Sequence, residues 1–455
     1  MNGAFFSDLL NTISERGRTI LRLKGFPSDG AGGSASLVEL CKALVSGRGE
    51  ASGVAIAAET LARYRLLDDV GRASFFAALA DLFGPDQEKL ASALEKWRAN
   101  PTDSGAAAIH YASEPRRLEL FRRLNRAPGG TAALVEMRAD LLKELRKNRA
   151  LAQVDADFQH LFGSWFNRGF LVLRRIDWST PASILERIIR YEAVHEIHDW
   201  NDLRRRIDPV DRRCYAFFHP ALVDEPLIFV EVALADQIPS AIAPLLASER
   251  IPVSPERART AVFYSISNCQ KGLAGVSFGN FLIKQVVEEL RRELPRIETF
   301  VTLSPVPNFR SWLAKAEDAP IDQDARAQIA GVDDPAWTRE PEATERLRKI
   351  VEPLAAHYFL KARTPDGRVV DSVARFHLGN GARLERINFM GDLSKKGLKE
   401  SAGVMVNYLY DLDDIEKNHE AFVNQNEVAA SGAVKRLIKG ERAIFGIPAP
   451  GFAQG

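Results

Sequence analysis

Cysteine is scarce in this 455-residue chain: Cys41, Cys214 and Cys269 stand far apart and form no CxxC pair. That disfavours a disulfide scaffold or a zinc knuckle and suits a reducing compartment. Net charge is nearly absent as well, at +1 with 46% hydrophobic and 27% charged residues, so bulk electrostatics give no reason to invoke nucleic acid or an anionic membrane. No apolar run approaches the roughly 20 residues that span a bilayer. The opening MNGAFFSDLLNTISERGRTILRL lacks a cationic stretch ahead of an apolar core and carries Asp8 and Glu15, and Ala453-Gln454-Gly455 is not a peroxisomal address. The expected location is the cytoplasm, with no nucleic-acid or membrane partner.

Strand-like alternation is also missing from the first third. The chain exceeds the roughly 250 to 300 residues at which a single core stops growing, so two domains are expected. Up to about residue 155 the pattern is helical. Leu134, Met137, Leu141, Leu142 and Leu145 recur at three- and four-residue spacing, with Glu136, Arg138, Lys143, Glu144 and Arg146 on the other face. Gly84-Pro85, Asn100-Pro101 and Pro128-Gly129-Gly130 punctuate similar segments, as in a bundle of antiparallel helices. After Gly163 come the strand-like runs FLVLRRI (170–176), LIFVEVAL (227–234) and AVFYSIS (261–267), with the helical ASILERIIRYEAV (182–194) between them. The fold class is therefore α+β overall: an all-α helical bundle over residues 1–160, then a mixed α/β domain over 161–455. Glu317 to Glu342, poor in large apolar residues, reads as a surface excursion.

Residues 261–304 form one β-loop-α-β unit: AVFYSIS, the loop NCQKGLAGVSFG, the helix NFLIKQVVEELRREL and the strand ETFVTLS. Leu282, Val286, Leu290 and Leu294 share one helix face, Asn280 is a candidate N-cap and Pro295 ends the helix. The loop glycines permit positive φ and close backbone approach, and the helix start offers unpaired N–H groups, a combination that suits a phosphate. The spacing Gly275-Val276-Ser277-Phe278-Gly279 matches neither a Walker loop nor GxGxxG, and alone it also fits a tight packing turn.

This segment is similar to the acyl-CoA-binding part of the GNAT-type N-acetyltransferase fold. FYSISNCQKGLAGVSFGNFLIKQVV, LSPVPNF, ARFHLGNGARLERINFMGD and GVMVNYLYDL, over residues 263–412, resemble in order the successive blocks of the malonyl-CoA decarboxylase family. Weaker similarity in RRCYAFFHP and EPLIFVEVAL extends it back to about residue 160. The resemblance implies a helical oligomerisation domain ahead of an acetyltransferase-like (GNAT) catalytic domain, in a homo-oligomer, tetramer or dimer. It implies malonyl-CoA as substrate, acetyl-CoA as product, a place in fatty acid metabolism and no cofactor.

By the same resemblance the catalytic serine is Ser304 of LSP and the histidine is His377 of FHL, ahead of Asn380-Gly381-Ala382. Tyr410 is a weaker candidate for a substrate-side hydroxyl. Gly275, Val276, Ser277, Gly279, Asn280 and Asn407 are the expected substrate-binding residues. Where animal members carry an acidic residue that could orient the histidine, this chain has Ser277, so the orienting partner of His377 is open.

The chemistry can be built independently. Loss of CO2 from a malonyl thioester leaves an enolate, with the thioester as electron sink. The reaction needs a positioned carboxylate, donors for the oxyanion and a proton for Cα. A strand-end hydroxyl can position and a histidine titrating near neutrality can deliver the proton, or the two can share those roles.

Simpler explanations also exist for these residues. Ser304 before Pro305 ends a strand, and His377 ahead of Asn-Gly could be a core histidine. His195 and His198 lack HExxH geometry and read as structural, and Cys269 as a small buried hydrophobe. The basic runs 116–126 and 204–208 read as solvated helix faces, while Lys271 and Lys284 could attract CoA phosphates. An acyl-CoA-dependent acyltransferase and a non-catalytic CoA-sensing module are the alternative functions.

Overall fold

The computed structural model describes residues 34–46, 50–276, 282–315, 321 and 323–444. The chain divides into two compact units. The first takes in the described chain up to Val172, with His219–Glu225 and the loop that starts at Gln270; the second takes in the rest.

The first unit is helical. Its helices are Ser34–Val45, Glu50–Arg65, Asp69–Leu82, Gln87–Ala99, Asp103–Ser113, Arg116–Leu124, Gly130–Leu145 and Ala152–Trp165. Asp68, Asp86 and Thr102 each accept a backbone N–H at a helix start, which satisfies donors that the helix itself cannot. Phe75, Phe76, Phe121, Phe158 and Phe162 are fully buried, and Phe121 stacks on Phe158 with ring centroids 4.1 Å apart. Leu134, Met137 and Leu141 line the buried face as their spacing predicts.

Arg138 differs from expectation. Placed on the polar face by periodicity, it is 1% exposed. Its Nε pairs with Asp155 at 2.8 Å, and Nη1 donates to the carbonyls of Gly272 and Ala274 at 2.7 and 2.8 Å. A buried guanidinium needs both a counter-charge and acceptors, and here it has both. The loop is pressed so closely on the helix that a Cβ on Gly272 would lie 1.8 Å from the Val135 carbonyl oxygen.

The second unit is built on one mixed sheet of β1 Val172–Ile176, β2 Arg212–Phe218, β3 Pro226–Ala235, β4 Thr260–Asn268, β5 Thr299–Thr302, β6 Ser304–Pro305, β7 Arg383–Asn388 and β8 Met405–Leu409, ordered β1-β2-β3-β4-β5-β8-β6 with β7 on β8. β3 runs antiparallel to β4, and β4 parallel to β5 across the helix Leu282–Glu293. That is the predicted β-loop-α-β unit. Ile184, Leu185 and Ile188 of the helix Ala182–Tyr191 pack with Cys214, Ala216, Phe229 and the buried Cys269. The excursion is more structured than its composition suggests, since helix Gln323–Ala330 buries Ala325 and Ile329.

Candidate active site

Three segments far apart in sequence meet around one imidazole. The strand carrying Ser304 does not simply stop there. β5 pairs with β4 up to Thr302, Leu303 donates its N–H to the Phe263 carbonyl, and the chain then pairs with β8 as the two-residue β6, Ser304 opposite Val406 and Pro305 opposite Met405. Proline is tolerated in so short a strand because few ladder donors are demanded of it.

His377 lies in the last turn of the helix Ser372–Gly379, which is fixed at both ends. Asp371 caps the start by accepting the Ala374 N–H at 2.8 Å and holds the Tyr358 hydroxyl at 3.1 Å. At the other end Gly381 takes φ +82°, and Ala382 N–H reaches back to the His377 carbonyl at 3.1 Å. The asparagine-glycine pair thus closes a left-handed cap. Any Cβ on Gly381 would fall 2.2 Å from the Ile415 carbonyl oxygen.

His377 Nε2 is 3.2 Å from Ser304 Oγ, and Nδ1 is 2.8 Å from the Tyr410 hydroxyl. Nδ1 of His377 thus faces a phenol. Ser304, His377 and Tyr410 retain 5%, 3% and 2% of their surface. The imidazole also stacks on Tyr408, centroids 4.6 Å apart and planes 23° apart. Burial pushes the His377 pKa from 6.5 down to about 3, because a desolvated site penalises the charged form. The expectation of a histidine titrating near neutrality is therefore corrected: the ring is neutral and carries a single N–H. Burial likewise drives the Tyr410 phenol well above its ordinary value, so the resting phenol is protonated.

Ser304 donates its hydroxyl proton to Thr302 Oγ1 at 2.9 Å, and the same oxygen accepts the Tyr408 N–H at 3.1 Å. Sequence reasoning passed over Thr302. Its signal was the i, i+2 spacing with Ser304, which puts two hydroxyls on one face of a strand. Asn407 is fully buried with its amide fully engaged. Its Nδ2 donates to the carbonyls of Thr302 and Pro239, while Oδ1 accepts from Arg386 and Asn388, so it ties β8 to β5 and β7.

Gly275 and Val276 belong to the first unit, with Gly275 at φ +77°. Ser277, Gly279 and Asn280 lie outside the described residues. Lys284 pairs with Glu416. His195 is packed near Tyr264 with its pKa pushed down to about 4, chiefly by burial.

Residues 169–445 match the family model for the malonyl-CoA decarboxylase C-terminal domain, and residues 83–166 match that for the N-terminal domain. The chain belongs to the malonyl-CoA decarboxylase family. It is 35% identical over 418 residues to the mitochondrial malonyl-CoA decarboxylase of Anser anser anser, covering 84% of this chain and 82% of that protein. The crystal structure of malonyl-CoA decarboxylase from Rhodopseudomonas palustris is 57% identical with a TM-score of 0.86, covering 89% of this chain and 100% of that one. That from Agrobacterium vitis is 55% identical with a TM-score of 0.83, covering 88% and 99%. As a family member the chain is a carboxy-lyase with a helical first part and a mixed-sheet second part.

Proposed function

We propose that this chain decarboxylates malonyl-CoA to acetyl-CoA and CO2 through a neutral relay of Ser304, His377 and Tyr410. As the Cα–carboxylate bond breaks, its electron pair moves into the thioester carbonyl, so an enolate forms and CO2 departs. The Ser304 hydroxyl, turned from Thr302 toward the substrate, stabilises the developing oxyanion. Cα then takes the Ser304 proton, Oγ takes the His377 Nε2 proton, and Nδ1 takes the Tyr410 proton. The phenolate recovers one proton from solvent, which balances the reaction. The enolate is a much stronger base than a phenolate, so the transfer runs downhill.

The observation that carries this is the hydrogen-bond partner of Nδ1. In a serine-histidine-aspartate triad a carboxylate stabilises the imidazolium formed when histidine takes the serine proton. Here Nδ1 faces a phenol, and His377 is pushed to about 3. Such a histidine is a poor base for activating Ser304 or an amine acceptor, which disfavours the acyltransferase alternative.

The test mixes purified protein with malonyl-CoA and no acceptor. Acetyl-CoA and CO2 should form in equal amounts, and no turnover would end the proposal. Ser304→Ala and His377→Ala should each lower kcat by roughly 10²- to 10⁴-fold.

The helical first unit is the proposed oligomerisation element of a homo-oligomer, dimer or tetramer, in a cytoplasmic enzyme of fatty acid metabolism. A monomer in sedimentation of the full chain would count against it.

A further inference from the structure

We propose that Thr302 is a positioning residue that fixes the tautomer of His377 and so keeps Ser304 a proton donor instead of a nucleophile. This rests on the roles given above to Ser304 and His377. Thr302 is fully buried. Its carbonyl is held by Asn407 Nδ2 at 2.8 Å and its hydroxyl oxygen by the Tyr408 N–H at 3.1 Å. A β-branched side chain in a strand has few χ1 choices, so the oxygen stays where Ser304 can reach it, 2.9 Å away.

The consequence follows from counting protons. Ser304 has one hydroxyl hydrogen, and Thr302 takes it. Toward His377, Ser304 Oγ can then only accept, so the hydrogen across the 3.2 Å contact sits on Nε2. A neutral imidazole has a single N–H. Nδ1 is therefore bare and accepts the Tyr410 proton across 2.8 Å. The chain of donors runs Tyr410, His377, Ser304, Thr302, opposite to the direction in a nucleophilic triad. When substrate enters, an oxyanion need only replace Thr302 as the acceptor at the end of a chain that already points toward it. With His377 Nε2 occupied by hydrogen, Ser304 cannot be deprotonated by it and is spared acylation by the thioester.

The test is ¹⁵N NMR of the full-length protein with labelled histidine, the His377 resonances being assigned by their loss in His377→Gln. In the wild type, Nε2 should show the shift and one-bond coupling of a protonated ring nitrogen and Nδ1 those of a bare one. In Thr302→Val the Ser304 hydroxyl loses its acceptor and turns to Nε2, so the proton should move to Nδ1. Thr302→Ser should restore the original tautomer. kcat for malonyl-CoA should fall by about 10²-fold in Thr302→Val, the low end of the range for positioned proton transfer, with KM little changed and recovery in Thr302→Ser. Thr302→Ala serves the same purpose if valine prevents folding.

A wild-type proton on Nδ1, or an unmoved tautomer in Thr302→Val, overturns the proposal. So does a reversed tautomer with undiminished kcat. Should the tautomers behave as stated while the wild type leaves malonyl-CoA untouched, the decarboxylase function fails and the catalytic half of this proposal fails with it, whereas the tautomer assignment stands.

Discussion

Acid should unfold this protein partly through His377, and the size of the effect can be worked out. Burial holds the folded-state pKa near 3 against an ordinary 6.5. The unfolded chain binds a proton below 6.5 that the folded chain refuses, so stability is fully present above that pH and is lost as pH falls from 6.5 toward 3. At about 1.36 kcal/mol per pKa unit the total approaches ~5 kcal/mol, of which ~2 kcal/mol is lost by pH 5. Against a typical total stability of about 5–15 kcal/mol that loss is large. Urea unfolding of wild type and His377→Phe at pH 7.5 and pH 5 isolates it, because His195 shifts both proteins alike. Phenylalanine forfeits both ring hydrogen bonds, so the variant starts less stable, but the gap should narrow by ~2 kcal/mol at pH 5. An unchanged gap would refute the burial argument. Catalysis offers a second readout: kcat/KM should show no limb near pH 6.5 lost with His377. Such a limb would mean that the ring works as imidazolium.

Two further perturbations reach other parts of the molecule. Arg138→Met should destabilise the protein by about 3–5 kcal/mol in denaturant titration, since it removes the counter-charge of the buried Asp155 carboxylate, leaving it the Gln159 amide, and strips the donor from two loop carbonyls; a cost below ~1 kcal/mol would show that the pair is not needed. Burial lifts the Glu231 carboxyl to about 8, even with Arg206 3.1 Å away. Wild-type stability should therefore fall as pH rises from 4.5 to 8, by at most about 1.4 kcal/mol per pH unit. Glu231→Gln should lack that slope, and matching slopes in the two proteins would count against a raised carboxyl.

Where periodicity governed, the sequence was readable. The apolar stripe from Leu134 to Leu141 and the β-loop-α-β unit are local patterns, and both appear in the structure where spacing put them. Tertiary partners governed what was missed. The helix expected over 182–194 ends at Tyr191 because the Glu192 carboxylate turns to accept the N–H groups of Val194 and His195 and the hydroxyls of Ser265 and Ser267. Arg138 sits on the face that periodicity marks as polar, yet its carbonyl acceptors lie 134 and 136 residues ahead. The candidate site was half legible. Ser304 and His377 stood out as motifs and Tyr410 as a candidate substrate-side hydroxyl, while the place of that phenol on Nδ1 and the hydroxyl of Thr302 depend on how β5, β6 and β8 converge.

That convergence explains why a decarboxylation site would bury its histidine instead of charging it. The substrate brings its own negative charge and must lose it as neutral CO2. An imidazolium beside the carboxylate would stabilise the ground state that has to be abandoned, and binding energy realised there does nothing for kcat. A neutral site whose three groups are 2–5% exposed solvates the carboxylate poorly. The same surroundings accept CO2 without penalty and offer the enolate oxygen a hydroxyl already aligned by its neighbours. On the proposed mechanism, the burial that pushes His377 to about 3 would act on the substrate carboxylate in the same sense, disfavouring the charged form in both. One physical cause would then set the protonation of the histidine and favour departure of the carboxylate, and the acid lability described above would be the stability cost of that arrangement.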